Sequence, residues 1–232
     1  MDTAPEGLPT WLAALVGIVF IAGLLLIGFL INERKNRRLK ALADDLGLTY
    51  YERAEGRVPV PSYVHHLKPG LFKTAPEVRR VMLGEVEGTP VWVFQLYRFM
   101  ASKSDRKQWG YSQTVALFHV PGLDLPKFSL LPESLHHKVM TAFGAPDIDF
   151  PDSPRFSRRF LLRSDDEESI RTLFTQVVRR WLENHRGRIV QGLANELVYY
   201  QPTKKLCPYT FRPGHIRKLV KEGIELANLL KG

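Results

Sequence analysis

Residues 79–99 read RRVMLGEVEGTPVWVFQLYRF, and this stretch decides the fold. Two runs rich in β-branched and aromatic residues flank Glu87, Gly88 and Thr89, which predicts a β-hairpin. In the second run both alternating sets are apolar. Val91 and Val93 form one set; Trp92, Phe94 and Leu96 form the other. Such a strand needs cover on both faces, so it belongs in the middle of a sheet.

Further strands lie on either side of the hairpin. LTYYER (48–53) reads as a short strand, QTVALFHV (113–120) as another, and FSLLPE (128–133) as a third. SRRFLLRS (157–164) alternates like an edge or outer strand, and RIVQGLANELVYYQP (188–202) reads as two strands around an Ala194-Asn195 turn. Four prolines between residues 56 and 78 mark an irregular connection, and ASKSDRKQWGYS (101–112) reads as a loop or long turn. ESLHHKVMTAF (133–143) has the makings of a short helix.

Two stretches have helical periodicity. In the first, Ser164 and Glu167 are spaced as a capping box, and Asp165, Asp166, Glu167 and Glu168 suit the positive end of a helix dipole. Ile170, Leu173, Phe174, Val177, Val178, Trp181 and Leu182 then form one apolar face, with Arg179, Arg180, Arg186 and Arg188 as cations at the far end. The second helix spans about 214 to 231, with Ile216, Leu219, Val220, Gly223, Ile224, Ala227 and Leu230 as its stripe. Strands interrupted by helices without strict alternation predict an α+β fold: an antiparallel sheet of six to seven strands packed by two main amphipathic helices.

The chain begins differently. Residues 12–31, LAALVGIVFIAGLLLIGFLI, contain no charge. About 20 helical residues cross a hydrocarbon core of roughly 30 Å. The preceding MDTAPEGLPT has no Lys or Arg, and the apolar run ends in GFLINER without a small-x-small site, which argues against a cleaved signal peptide. Immediately after the run come Arg34, Lys35, Arg37, Arg38 and Lys40, whereas Asp2 and Glu6 precede it. Positive residues beside a span stay in the cytoplasm. The expected layout is therefore a short extracytoplasmic segment (1–11), a transmembrane helix (12–31), a basic juxtamembrane helix (32–47) and a cytosolic domain (48–232). The site is a cell inner membrane crossed once, N-terminus outside. Leu39, Leu42, Ala43 and Leu46 give the juxtamembrane helix an apolar stripe, and Gly47 ends it.

The formal net charge is +9, and every Lys and Arg lies beyond Glu33. That surface favours anionic partners, lipid headgroups first, at about 1 kcal/mol per basic residue near a charged bilayer; nucleic acid is disfavoured because the basic residues are scattered. An unidentified protein partner is the other expectation. A single cysteine, Cys207, excludes an internal disulfide.

The chemistry-bearing residues form no motif. Cys207 lies near His215, but KKLCPYTF is not a nucleophile signature. Asp147, Asp149 and Asp152 alternate in a proline-rich loop without the glycine and terminal glutamate of a calcium loop. The seven histidines have neither H-x-x-x-H nor C-x-x-C partners, so no metal is expected. Phosphate-binding glycine loops and the G-x-S-x-G elbow are absent, and no cofactor is expected. The sequence thus predicts a membrane-anchored binding or scaffold module without catalysis. The alternatives are an enzyme built on Cys207 and His215 or on Asp147, Asp149 and Asp152, and a domain for anionic lipid or nucleic acid.

The segments GEVEGTPVWVFQLYRF, QTVALF, LPKFSLLPE and DIDFPDSPRFSRRFLLRSDD, set behind a hydrophobic span and a basic helix, resemble a class of uncharacterised bacterial single-pass membrane proteins. The resemblance covers most of the part beyond the span. It implies a bacterial source and a cytosolic α+β domain, and it carries no catalytic residues.

Overall fold

The computed structural model describes residues 10–52, 77–101, 108–135, 147–202 and 211–232. Helix α1 (Thr10–Asp45) is continuous, with no break between the apolar run and the basic segment. It is long and apolar enough to cross a membrane. Fourteen large apolar side chains between Trp11 and Ile31 are exposed, far more contiguous apolar surface than a soluble monomer leaves in water. Gly47, with φ of +71°, ends the turn after α1 as its sequence position predicts.

The chain then forms β1 (Leu48–Tyr51), β2 (Glu77–Val86), β3 (Thr89–Ala101), β4 (Gln108–His119) and β5 (Leu125–Pro132). A short helix α2 (Pro154–Ser157) leads into β6 (Phe160–Ser164). Helices α3 (Glu167–Leu173) and α4 (Gln176–Asn184), strands β7 (Ile189–Ala194) and β8 (Glu196–Tyr200), and helix α5 (Pro213–Lys231) complete the order. The strands make one sheet in the order β1-β2-β3-β4-β8-β7-β5-β6, and every neighbouring pair is antiparallel. The fold is α+β. The sheet has eight strands where six to seven are expected, and both short edge strands pair along their whole length: β1 with β2 and β6 with β5.

The turns follow local chemistry. Val86 pairs with Thr89, so the β2–β3 loop is Glu87 and Gly88, both with positive φ, as the twist of a two-residue hairpin requires. Leu193 pairs with Glu196, and Ala194 adopts φ of +52° in the Ala194-Asn195 loop. Strand β3 is central and buried on both faces, as its two apolar sets predict. Val91 and Val93 join the core beneath the helices, while Phe94 and Leu96 join a second cluster with Val115, Leu117, Val198 and Tyr200.

The helix expected from Ser164 onward is two helices. The Asp166 side chain, not Ser164, caps α3 by accepting from the Ser169 amide, and the Ser164 hydroxyl instead donates to the Lys127 carbonyl. The helical path breaks at Phe174, and Thr175 caps α4 through the Val178 amide. The apolar repeat survives the break because Ile170, Phe174, Val178 and Leu182 still reach the core, but Val177 is turned outward and exposed. Of the stretch 133–143, a 3-10 turn at Glu133–Leu135 is described; residues 136–143 lie outside the described residues.

Helix α5 lies across β3, β4 and β8 and buries Ile216, Leu219, Val220, Gly223, Ile224, Ala227 and Leu230, the stripe its periodicity predicts. Gly223 is required there. A Cβ at that position would sit 2.1 Å from Cζ of the fully buried Phe118. The C-terminal part of α1 enters the same core: Leu39, Leu42 and Ala43 are buried with Leu48 and Met82. The helix that leaves the apolar run is thereby built into the domain.

Candidate membrane-proximal site

The basic residues after the apolar run sit on the last four turns of α1. Leu39, Leu42 and Ala43 hold one side of that segment in the core, which leaves Arg34, Arg37, Arg38 and Lys40 exposed on the other. Arg37 makes a 3.6 Å pair with Glu33, one turn back. The segment is also tied down by polar contacts. Asn32 donates to Glu52, the Tyr50 hydroxyl donates to Asn36 at 3.3 Å, and Arg217 on α5 pairs with Asp45 at 2.7 Å.

Lys35 differs from its neighbours in being half-buried. Burial, and then the charges of Arg80 and Arg212, push its ammonium below the usual lysine range. Arg80 lies on β2 and Arg212 at the start of α5. Arg80 reaches this place through a β-bulge: the β2–β3 register shifts between Val78 and Val81, which inserts an extra residue. From there the Arg80 guanidinium donates to Gln95 Oε1 at 2.9 Å, and Gln95 donates onward to the Ser112 hydroxyl. Thr114 is the cross-strand partner of Gln95, so the two side chains share a face. Gln95, Ser112 and Thr114 are buried, yet Thr114 Oγ1 and Arg80 Nε have no hydrogen-bond partner. Tyr50 borders the same place, its hydroxyl pushed above the usual phenol range by burial and drawn back by the Arg80 charge.

A second polar cluster lies deeper. Glu222 on α5 receives Arg188 Nη2 at 2.8 Å, Arg188 Nε at 2.9 Å and the Tyr199 hydroxyl at 2.9 Å. All three residues are buried. Burial and the Glu222 carboxylate push the Tyr199 hydroxyl strongly up, so it stays a donor. His185 stacks on Trp181 with ring centroids 3.7 Å apart, donates from Nδ1 to the Trp181 carbonyl, and brings Nε2 to 3.9 Å from Glu222. Sequence reading treats Arg188 and Arg179 as cations at a helix end; both are buried. Arg179 is bound by Asp152, Ser153 Oγ and the Phe174 carbonyl, with its guanidinium over the Phe150 ring. The signal that could have exposed them is weak, since the partner carboxylates lie 27 and 34 positions away.

Two carboxylates of the catalytic alternative, Asp147 and Asp152, are engaged with different partners. Asp147 Oδ1 accepts from the Leu162 amide at 2.9 Å, and partial desolvation pushes its carboxyl up. The Asp149 carbonyl accepts from Arg171, and Asp152 pairs with Arg179. Among the described residues no three His, Cys, Asp or Glu side chains come together to hold a metal. Cys207 lies outside the described residues. Its proposed partner His215 is half-buried on the first turn of α5, where burial and then Arg188 push its pKa down. A shallow surface hollow of about 510 Å³ is lined by Glu167, Glu168, Arg171 and Thr172 and gathers none of these candidates.

No family model matches the chain, and no curated protein matches it in sequence. In three dimensions the chain is similar to the crystal structure of the mycobacterial trehalose monomycolate transport factor A, TtfA. The likeness has a TM-score of 0.51 at 14% identity and covers 84% of this chain and 91% of that one. What the two proteins share is a fold.

Proposed function

We propose that this protein is a non-catalytic binding module fixed to a bacterial inner membrane by a single pass, N-terminus outside, with its α+β domain on the cytoplasmic face. The observation that carries this reading is the continuity of α1, whose exposed apolar half runs without interruption into a basic, core-packed half. A cleaved leader would have no reason to share one helix with the hydrophobic core. The exposed Arg34, Arg37, Arg38 and Lys40 form a collar where positive charge holds a span in orientation and meets anionic headgroups. The separate structural roles of the Asp147 and Asp152 carboxylates support binding over catalysis. The fold likeness to a protein titled a transport factor fits a module that serves a membrane process through its contacts. The partner itself would be a protein or a lipid.

The test is topology. In a Cys207→Ser background, a cysteine placed at Lys231 is treated with a membrane-impermeant maleimide. The reading expects labelling in inverted membrane vesicles and none in intact spheroplasts. Labelling of intact spheroplasts, or recovery of the chain in the soluble fraction, refutes it.

A further inference from the structure

Strands β3 and β4 outrun the rest of the sheet at one end. The β2–β3 ladder stops at Glu77 and Tyr97, and β8 pairs with β4 no nearer that end than Ala116. Beyond these points β3 and β4 pair with each other, from Arg98 with Tyr111 to Ala101 with Gln108. Among the described residues no strand flanks either outer edge of this two-stranded ribbon. A free ribbon of two strands is marginal in water, so such an extension needs support.

The ribbon runs toward the membrane. β1 lies antiparallel beside the root of α1: the Tyr50 hydroxyl reaches Asn36, and Glu52, two residues on, accepts from Asn32. Two strand residues advance about 6.6 Å and four helical residues about 6 Å, so strand and helix run side by side. Asn32 directly follows Ile31, the last residue of the apolar run, and the end of β1 marks that level. Tyr51 pairs with Val81, and Val81 with Phe94. β3 has the same direction as β1, since both are antiparallel to β2. From Phe94 to Ala101 the strand advances about 23 Å. Two steps of sheet twist, about 20–25° each, leave about 16 Å of that length along the anchor. The ribbon therefore passes the level of Ile31 and meets the bilayer.

Composition decides its depth. Residues 98–101 read RFMA and residues 108–111 read QWGY. Phe99, Met100, Trp109 and Tyr111 are large and apolar or amphipathic, Arg98 is a cation, and no residue of the eight is acidic. Tryptophan and tyrosine gather at the headgroup level. Backbone edges without partner strands are excluded from hydrocarbon, where each unsatisfied group costs several kcal/mol. Leaning the span costs only fractions of a kcal/mol per Å, so α1 tilts and the ribbon stays in the headgroup layer.

We infer that the β3–β4 ribbon, residues 98–101 and 108–111, is a second membrane contact, seated in the headgroup layer of the bilayer that α1 crosses. The inference rests on the membrane-anchored reading and adds to it. Anchor and ribbon together hold the domain against the lipid surface in one orientation.

Spin labels test this in the full-length protein, in a Cys207→Ser background reconstituted into vesicles of phosphatidylglycerol and phosphatidylethanolamine. Single labels are placed at Met100→Cys on the ribbon, at Val19→Cys in the anchor and at Glu85→Cys, exposed at the opposite end of β2. Collision with molecular oxygen, which concentrates in lipid, is compared with collision with a water-soluble nickel chelate. The expected oxygen-to-nickel ratio at Met100 is shifted from the aqueous value of Glu85 toward the lipid value of Val19. A Met100 ratio equal to that of Glu85, with Val19 in lipid, overturns the ribbon contact and leaves the anchor standing. An aqueous ratio at Val19 sinks the anchored reading and the ribbon contact with it. A Met100 label closed to both reagents puts the ribbon against protein and also overturns the inference. Gln108→Cys, on the paired strand, is measured in parallel and decides should Met100→Cys fail to fold.

Discussion

The two polar clusters of this domain lie on the same side of the sheet and differ in one respect. Around Glu222 each buried charge has its counterpart: two guanidinium nitrogens and a phenol point at one carboxylate. Around Arg80 the guanidinium is held by Gln95, Tyr50 sits between the charges of Arg80 and Glu52, and two buried polar atoms, Arg80 Nε and Thr114 Oγ1, stay unmade. A satisfied network fixes a fold, because removing any member strands the rest. That contrast separates the cluster that pins α5 to the sheet from the cluster at the root of α1.

The largest effect is expected where satisfaction is complete. Glu222→Ala leaves Arg188 buried and unpaired, and urea unfolding of the full-length protein should show a loss of about 3–5 kcal/mol. A loss below about 1 kcal/mol would mean that the pair is not the structural tie described. Leu39→Ala empties a fully buried position at the junction of α1 and the domain and should cost about 2–5 kcal/mol by the same measurement. Gly223→Ala drives a methyl group into the Phe118 ring, and overpacking of about 1–3 kcal/mol should exceed the gain of about 1 kcal/mol in helix propensity. A higher melting temperature for this variant would contradict the packing. Thr114→Val has the opposite sign. It replaces an unpartnered hydroxyl by a methyl of the same shape, so stability should be unchanged or rise by up to about 1 kcal/mol.

The smallest effect is a slope with pH. Burial depresses the His215 pKa in the folded state below its unfolded value. The unfolded chain therefore takes up a proton first, and stability is present above the unfolded pKa and declines as pH falls through the mildly acidic range. His215→Asn should flatten that decline in denaturation midpoints measured from neutral pH down to about pH 5. An unchanged slope would assign the acid sensitivity to other groups.

What could be read from the sequence depended on how local each feature was. The Glu87-Gly88 and Ala194-Asn195 turns, the two-faced strand β3 and the stripe of α5 are all written within a few residues of themselves. The break at Phe174 was hidden because the apolar repeat continues through it, while the capping side chains, Asp166 and Thr175, are ordinary in composition. The Ser164-Glu167 spacing pointed to the wrong cap because Ser164 is claimed by β6, a long-range pairing no local pattern records. The collar at Arg34–Lys40 was legible from charge alone. The polar cluster behind it was not, since Arg80 reaches it by a bulge and Thr114 joins Gln95 by a cross-strand register, both properties of the assembled sheet.

The account depends most on α1 being one rigid body from lipid to core. Spin labels at Val19→Cys and Arg180→Cys, in a Cys207→Ser background reconstituted into bilayers, report this directly by double electron–electron resonance. A helix rooted through Leu39, Leu42 and Ala43 predicts one narrow distance distribution, the same in micelles and bilayers. A broad or multiple distribution would mean that a hinge separates the anchor from the domain.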